Sequence, residues 1–146
     1  MSHVKQQVRE AAVTVLTGLT TTGANVFESR VFPIDPASLP ALSVYTLAEE
    51  SDPEQATKES IIAAITLAVE VVAASASDVD DVLDTSQSEI QVALSGVNAV
   101  SALSKAVHFI GAEDENSPEA EAEVWKRVVT YSIWVSYSPS NPEVAL

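Results

Sequence analysis

The chain has no cysteine among its 146 residues, which removes disulfide frameworks, thiolate nucleophiles and cysteine-ligated metals at one stroke. Nothing in the composition then asks for an oxidising compartment. Cations are scarce as well: 7 Lys and Arg stand against 21 Asp and Glu, a formal net charge of -14, and the only adjacent basic pair is Lys126-Arg127. Counterion release on DNA needs clustered Lys and Arg, so a DNA-gripping surface is not expected. The four glycines form no phosphate-cradling loop, and no GxSxG, HExxH or CxxC spacing occurs. The two histidines, His3 near the N-terminus and His108 in a β-prone stretch, are not patterned as a metal pair or an acid-base couple. No uncharged apolar run reaches membrane-spanning length, and the segment from Met1 to Gln7 has no apolar signal core behind its charge.

What is present is enough for a core. Hydrophobic residues make up 47% of the chain and charged residues 19%, the balance of a globular protein, and the length fits one domain. Ser2 is placed to cap a helix running to about Thr17, with Val4, Val8, Ala11, Ala12, Val15 and Leu19 at helical spacing and Gly18 at its end. After a turn at Thr20–Gly23, the stretch from Val26 to Val31 reads as a short strand. Pro33, Pro36 and Pro40 then interrupt regular structure until a second strand, Ala41 to Leu47. The segment from Glu49 to Glu59 reads as a solvated loop.

Residues 61–72 are rich in alanine, which suits a helix, but Ile61, Ala63, Ile65, Leu67, Val69 and Val71 alternate as one apolar face opposite Thr66 and Glu70. That period of two predicts a strand. Ser77 with Asp78, Asp80 and Asp81 marks a helix start, because a hydroxyl cap and first-turn carboxylates both suit the positive end of the dipole. Val79, Leu83, Ile90, Ala93, Leu94 and Val97 supply its buried stripe, and Gly96 its stop. The same acidic run lacks the sixth-position Gly and terminal Glu of an EF-hand loop.

A third strand is expected near Lys105 to Ile110, and an acidic connection over Glu113–Pro118 leads into the longest β signal, Val124 to Tyr137. At ~3.3 Å per residue that strand would run roughly 46 Å, about twice a usual strand, which predicts that part of it pairs outside its own domain. Pro139 and Pro142 mark residues 138–146 as a loose tail. The sum is a single α+β domain: a mixed or antiparallel sheet with two main helices packed on one face.

The order and spacing of these pieces support a resemblance. His3-Val4-Lys5 opening a helix, the Thr22-Gly23 turn, Val26-Phe27-Glu28-Ser29-Arg30, Leu39 to Tyr45 with Glu49-Glu50 beyond, and the closing Val128 to Ile133 strand resemble the tail terminator proteins of long-tailed bacteriophages, of the lambdoid minor tail protein U type. The resemblance covers most of the chain. It implies a subunit, assembled in the host cytoplasm, that forms a homo-hexameric ring in the virion. The ring caps the head-proximal end of the tail tube, stops tube polymerisation and joins the head-completion protein, with no catalysis and no cofactor. DNA would pass through such a ring without specific binding, and acidic loops facing the channel would repel its phosphates. Glu49, Glu50, Asp52 and Glu54, with Glu113, Asp114 and Glu115, are the candidates for those loops. Arg30, Lys126, Arg127 and Trp134 are the candidates for contacts between subunits. The alternatives are another phage head-tail connector, completion or tail-tube subunit, a metal-dependent hydrolase that uses the acidic residues, and a small-ligand-binding module.

Overall fold

A computed structural model describes residues 2–28, 36–74, 76–115 and 124–146. Helix α1 spans Val4–Leu16, α2 Val79–Ser95 and α3 Ala99–Leu103; the strands are β1 Val26–Phe27, β2 Ala41–Ser51, β3 Ile61–Ala74, β4 Ala106–Asp114, β5 Val124–Ser138 and β6 Asn141–Ala145. They form one mixed sheet in the order β1-β2-β3-β5-β4, with β6 also paired to β5. Only β1 against β2 is parallel; the β2-β3, β3-β5, β4-β5 and β5-β6 pairs are antiparallel.

The alternation read at residues 61–72 does set the faces of β3. Its odd positions from Ala63 to Ala73 join Val4, Val8 and Leu16 of α1 and Leu83, Ile90 and Leu94 of α2 in a single core, closed by Val129, Tyr131, Ile133 and Val135 of β5. Its even positions turn to the other face, where Tyr45, Ala68 and Val128 make a smaller cluster that includes no helical residue. All three helices thus serve one side of the sheet.

Local details refine the expected boundaries. The cap of α1 is His3 rather than Ser2, its Nδ1 accepting from the Lys5 N–H at 3.0 Å. Asp78, one residue after Ser77, occupies the N-cap of α2 without a side-chain capping bond, while Asp80 and Asp81 lie in the first turn as the dipole favours. Gly18, at φ +94°, follows the end of α1 in a conformation that L side chains rarely adopt. Strand β2 runs on to Ser51 and takes in Glu49 and Glu50, and β4 runs on to Asp114, so these acidic positions belong to strand ends and not to loops. In the first expected strand, residues 26–27 are extended, and residues 29–31 lie outside the described residues.

Two expectations are overturned. The segment expected as a loose tail carries β6, whose Tyr137↔Ala145 pairing continues the sheet. It is tied to α1 by Gln7, whose Nε2 donates to the Glu143 carbonyl at 2.6 Å. Strand β5 is also matched along its length by strands of its own chain. β3 matches it from Val124 to Tyr137 on one side. On the other side β4 matches it from Arg127 to Trp134, and β6 takes over at Tyr137 and Ser138. Its length reflects a central position, because an interior strand can be satisfied along both edges.

Candidate functional site

The seven candidate acidic residues do not form one cluster. The register β2-β3-β5-β4 puts Glu49 and Glu50 level with Ile65 and Ala64, near the end of the sheet where Tyr137 lies. Glu113 and Asp114 pair with Val128 and Arg127 toward the opposite end. Three of the seven are engaged within the chain. Glu49 accepts a hydrogen bond from the Tyr137 hydroxyl, Asp52 accepts from the Glu54 N–H and the Gln55 amide in its own turn, and Asp114 accepts from Arg127 Nε at 2.6 Å. Glu50, Glu54, Glu113 and Glu115 are exposed. The free negative charge of this set is thus divided between the two ends of the sheet.

Lys126 and Arg127, neighbours in sequence, point to opposite faces as strand geometry demands. On the helix face Arg127 lies between β4 and α2, with Asp84 Oδ1 at 2.5 Å from its Nη1 and Asp114 Oδ1 at 2.6 Å from its Nε. The Asp114 hydrogen bond, ahead of the Asp84 hydrogen bond, raises its pKa further against the opposing effect of burial, so the guanidinium stays charged. On the helix-free face Lys126 Nζ lies 3.5 Å from Glu70 Oε1, and Tyr45 donates its hydroxyl to Glu70 Oε2 at 3.2 Å. Glu70, mid-strand and 7% exposed, is therefore a buried carboxylate held by two partners. Trp134 is half-buried on the same face, in register with Ala64 and Ala106. Arg30 lies outside the described residues.

Tyr137 is buried beneath the N-terminus of α1, edge-on to the His3 ring at 5.3 Å between centroids. Burial first, and then the Glu49 carboxylate that accepts its hydrogen bond, push its pKa up to about 12. The trio His3, Glu49 and Tyr137 joins three distant segments, and no sequence motif marks it. His108 is exposed on β4, away from His3. Among the described residues no group of three or more His, Asp and Glu is placed to hold a metal ion. A surface hollow of about 320 Å³ on α2 is lined by Asp84, Gln87, Ser88, Gln91 and Val92, and its one carboxylate, Asp84, is engaged by Arg127.

The features with most to offer a partner are two strand edges that sequence reasoning missed. β4 closes the sheet on one side and exposes Phe109 and Ile110. On the other side, among the described residues, β1 pairs with β2 at Leu42 and Ser43, and Leu47 beyond them is 47% exposed. The apolar Phe109-Ile110 pair was a legible signal, but nothing in the sequence says that its strand lies at an edge.

Comparison with known proteins gives the family of this chain. No curated protein matches it. Among solved structures, it is similar to one described as "Virion of native gene transfer agent (GTA) particle", with 16% identity, 92% of each chain covered and a TM-score of 0.45. Residues 3–135 match the family described as phage minor tail protein U. That match spans nearly the whole chain, which therefore belongs to the phage minor tail protein U family, as a non-enzymatic structural protein of the tail that takes its place in the virion among other virion proteins.

Proposed function

We propose that this chain is a tail terminator: six copies close into a ring on the head-proximal end of the tail tube, halt its polymerisation and present a surface to the head-completion protein. Membership of the minor tail protein U family carries the reading. Ring closure needs a heterologous contact, in which one surface of a subunit meets a different surface of the next. A single sheet with two unlike edges is suited to that.

The charge pattern supports a conduit for DNA. On the helix-free face the small or uncharged Ala64, Thr66, Ala68, Thr130 and Ser132 lie beside Tyr45, Val128 and Trp134, and Glu70 balances the charge of Lys126 toward one end. Glu54 at one end of the sheet, with Glu113 and Glu115 at the other, gives the two mouths of the conduit the sign that repels phosphates, over about 8–10 Å at physiological salt. Lys126 and Arg127 serve their own subunit first, which leaves Trp134 as the member of the expected contact set best able to meet a neighbour.

The test is electron microscopy of tails assembled with and without this protein. Tubes that grow past their normal length when it is withheld are the expected outcome. Tubes of normal length in its absence would reject termination, and normal tails that fail to join heads would instead identify a head-completion role.

A further inference from the structure

Among the described residues, the two outer edges of the sheet carry similar features at neighbouring heights. Following the pairings across the sheet, Thr46 is level with Leu67, Tyr131 and Phe109, and Ala48 is level with Thr66, Ser132 and His108. The β2 bulge, at Leu47, falls between those two levels. The β4 bulge, at Ile110, begins at the Phe109 level, one register step away. Leu47, Phe109 and Ile110 are 47%, 43% and 62% exposed, so each edge presents a large apolar side chain to water within about one register step of the other. Glu50 is level with Ala64, Trp134 and Ala106, and Lys105 immediately precedes Ala106. Both Glu50 and Lys105 are exposed, and neither has an ion pair among the described residues.

We infer that β4 of one copy docks against β2 of the next, with Phe109 and Ile110 on Leu47 and with Lys105 beside Glu50. The occupant of each edge is a second copy of this chain. Strand direction permits the contact. Three antiparallel pairings separate β2 from β4, so the two run oppositely within a subunit. Rotation about an axis roughly along the strands keeps that relation between neighbours, giving the antiparallel approach that a sheet accepts. Bulges disrupt a ladder locally and normally guard an edge. Here they interrupt both edges within one step of each other, which leaves the flanking stretches to pair and turns the apolar side chains outward between them. A two-fold contact of β4 with β4 would bury Ile110 but leave Leu47 in water, whereas the head-to-tail contact covers both. The inference rests on the ring reading above and names the surface that closes it.

The absence of cysteine makes the test direct. Leu47 and Ile110 lie on strands three spacings apart, roughly 14 Å, which no disulfide spans. In the doubly substituted Leu47→Cys, Ile110→Cys protein, oxidised with diamide in concentrated solution and in assembled tails, a disulfide must therefore join two subunits. A ladder of covalent oligomers extending beyond the dimer is expected from the double variant and from neither single one. Rings that persist by native mass with no covalent ladder would overturn this contact while leaving the ring intact. Dimers from Ile110→Cys alone would overturn it in favour of a two-fold contact. Monomers under every tail-building condition, with tail length unaffected, would remove the ring and this surface together. As a second arm, Glu50→Lys or Lys105→Glu alone should weaken association roughly fivefold per contact, and the two combined should restore it. Failure of the combined reversal to recover association, with the folded fraction unchanged by circular dichroism, would also overturn it.

Discussion

Arg127 reaches three elements at once, and its position shows how a single cation can be committed in a chain that has few. From β5 it donates to Asp114 of β4 and Asp84 of α2 while its own side chain is only 13% exposed. Arg127→Met keeps most of the volume but leaves two carboxylates without their partner. A loss of roughly 2 kcal/mol, seen as a fall of about 4–8 °C in Tm, is expected. An unchanged melt would mean that the pairs contribute nothing beyond their screening by water.

Tyr137 yields a prediction about pH. Its pKa is raised to about 12 in the folded chain, so the folded state holds the phenolic proton more tightly than the unfolded chain does. The corresponding stability is complete below about pH 10, the unfolded value, and is lost as pH rises toward 12. Tyr131, raised by burial, acts in the same direction. Denaturant unfolding at pH 9 and pH 11 should therefore show stability falling with pH, and Tyr137→Phe should flatten part of that fall. An equal slope in the variant would exclude Tyr137 as a source.

At the scale of elements, the third helix is the most instructive omission. Over 99–103 it is too short to show an apolar period, so periodicity alone passes over it. Its signal is the cap: Asn98 Oδ1 accepts from the N–H groups of Val100 and Ser101, and Ser101 Oγ accepts in return from the Asn98 N–H. The helix packs against α1, and its Val100 is fully buried. Asn98→Ala should cost about 1 kcal/mol, with hydrogen exchange rising across residues 98–104 before the rest of the chain. Global exchange without local opening would show that the cap does not hold this element separately.

The strands were legible where one face is buried and the other is not. Alternation in residues 61–72 set the faces of β3 correctly and even put Glu70 on the side away from the helices. The same logic failed at the termini of strands, because extension past a buried stretch depends on a partner's register and leaves no mark in local polarity. Thus Glu49, Glu50, Glu113 and Asp114 read as loop residues, and Pro139 and Pro142 as a loose end, although each neighbouring segment is held by a ladder.

For the whole molecule, the acidic excess becomes specific only once its distribution is known. Carboxylates paired by Arg127, Lys126 and Tyr137 serve the fold, and of the candidate acidic residues Glu50, Glu54, Glu113 and Glu115 are left exposed, divided between the two ends of the sheet. If the exposed ones line the mouths of a conduit, then Glu54→Lys, Glu113→Lys and Glu115→Lys together should leave tail length normal and lower infectivity, since a cationic rim holds phosphates. Infectivity equal to that of the parent particle would sink the channel assignment. Glu50 is left unaltered in this variant because its proposed contact with Lys105 would confound the result.

Composition and periodicity by themselves determined that this chain folds as one α+β unit, which segments form its main helices and long strands, and which side of each strand is apolar, because those properties depend on neighbours a few residues away. Only the tertiary structure decided that β5 lies inside the sheet, that β2 and β4 lie toward its two sides, and that Lys126 and Arg127 serve opposite faces with different partners. The physical reason is that lateral strand order is held by backbone hydrogen bonds between residues far apart in the chain. Every residue but proline offers the same donor and acceptor to those bonds, so the side chains do not record which strand lies beside which.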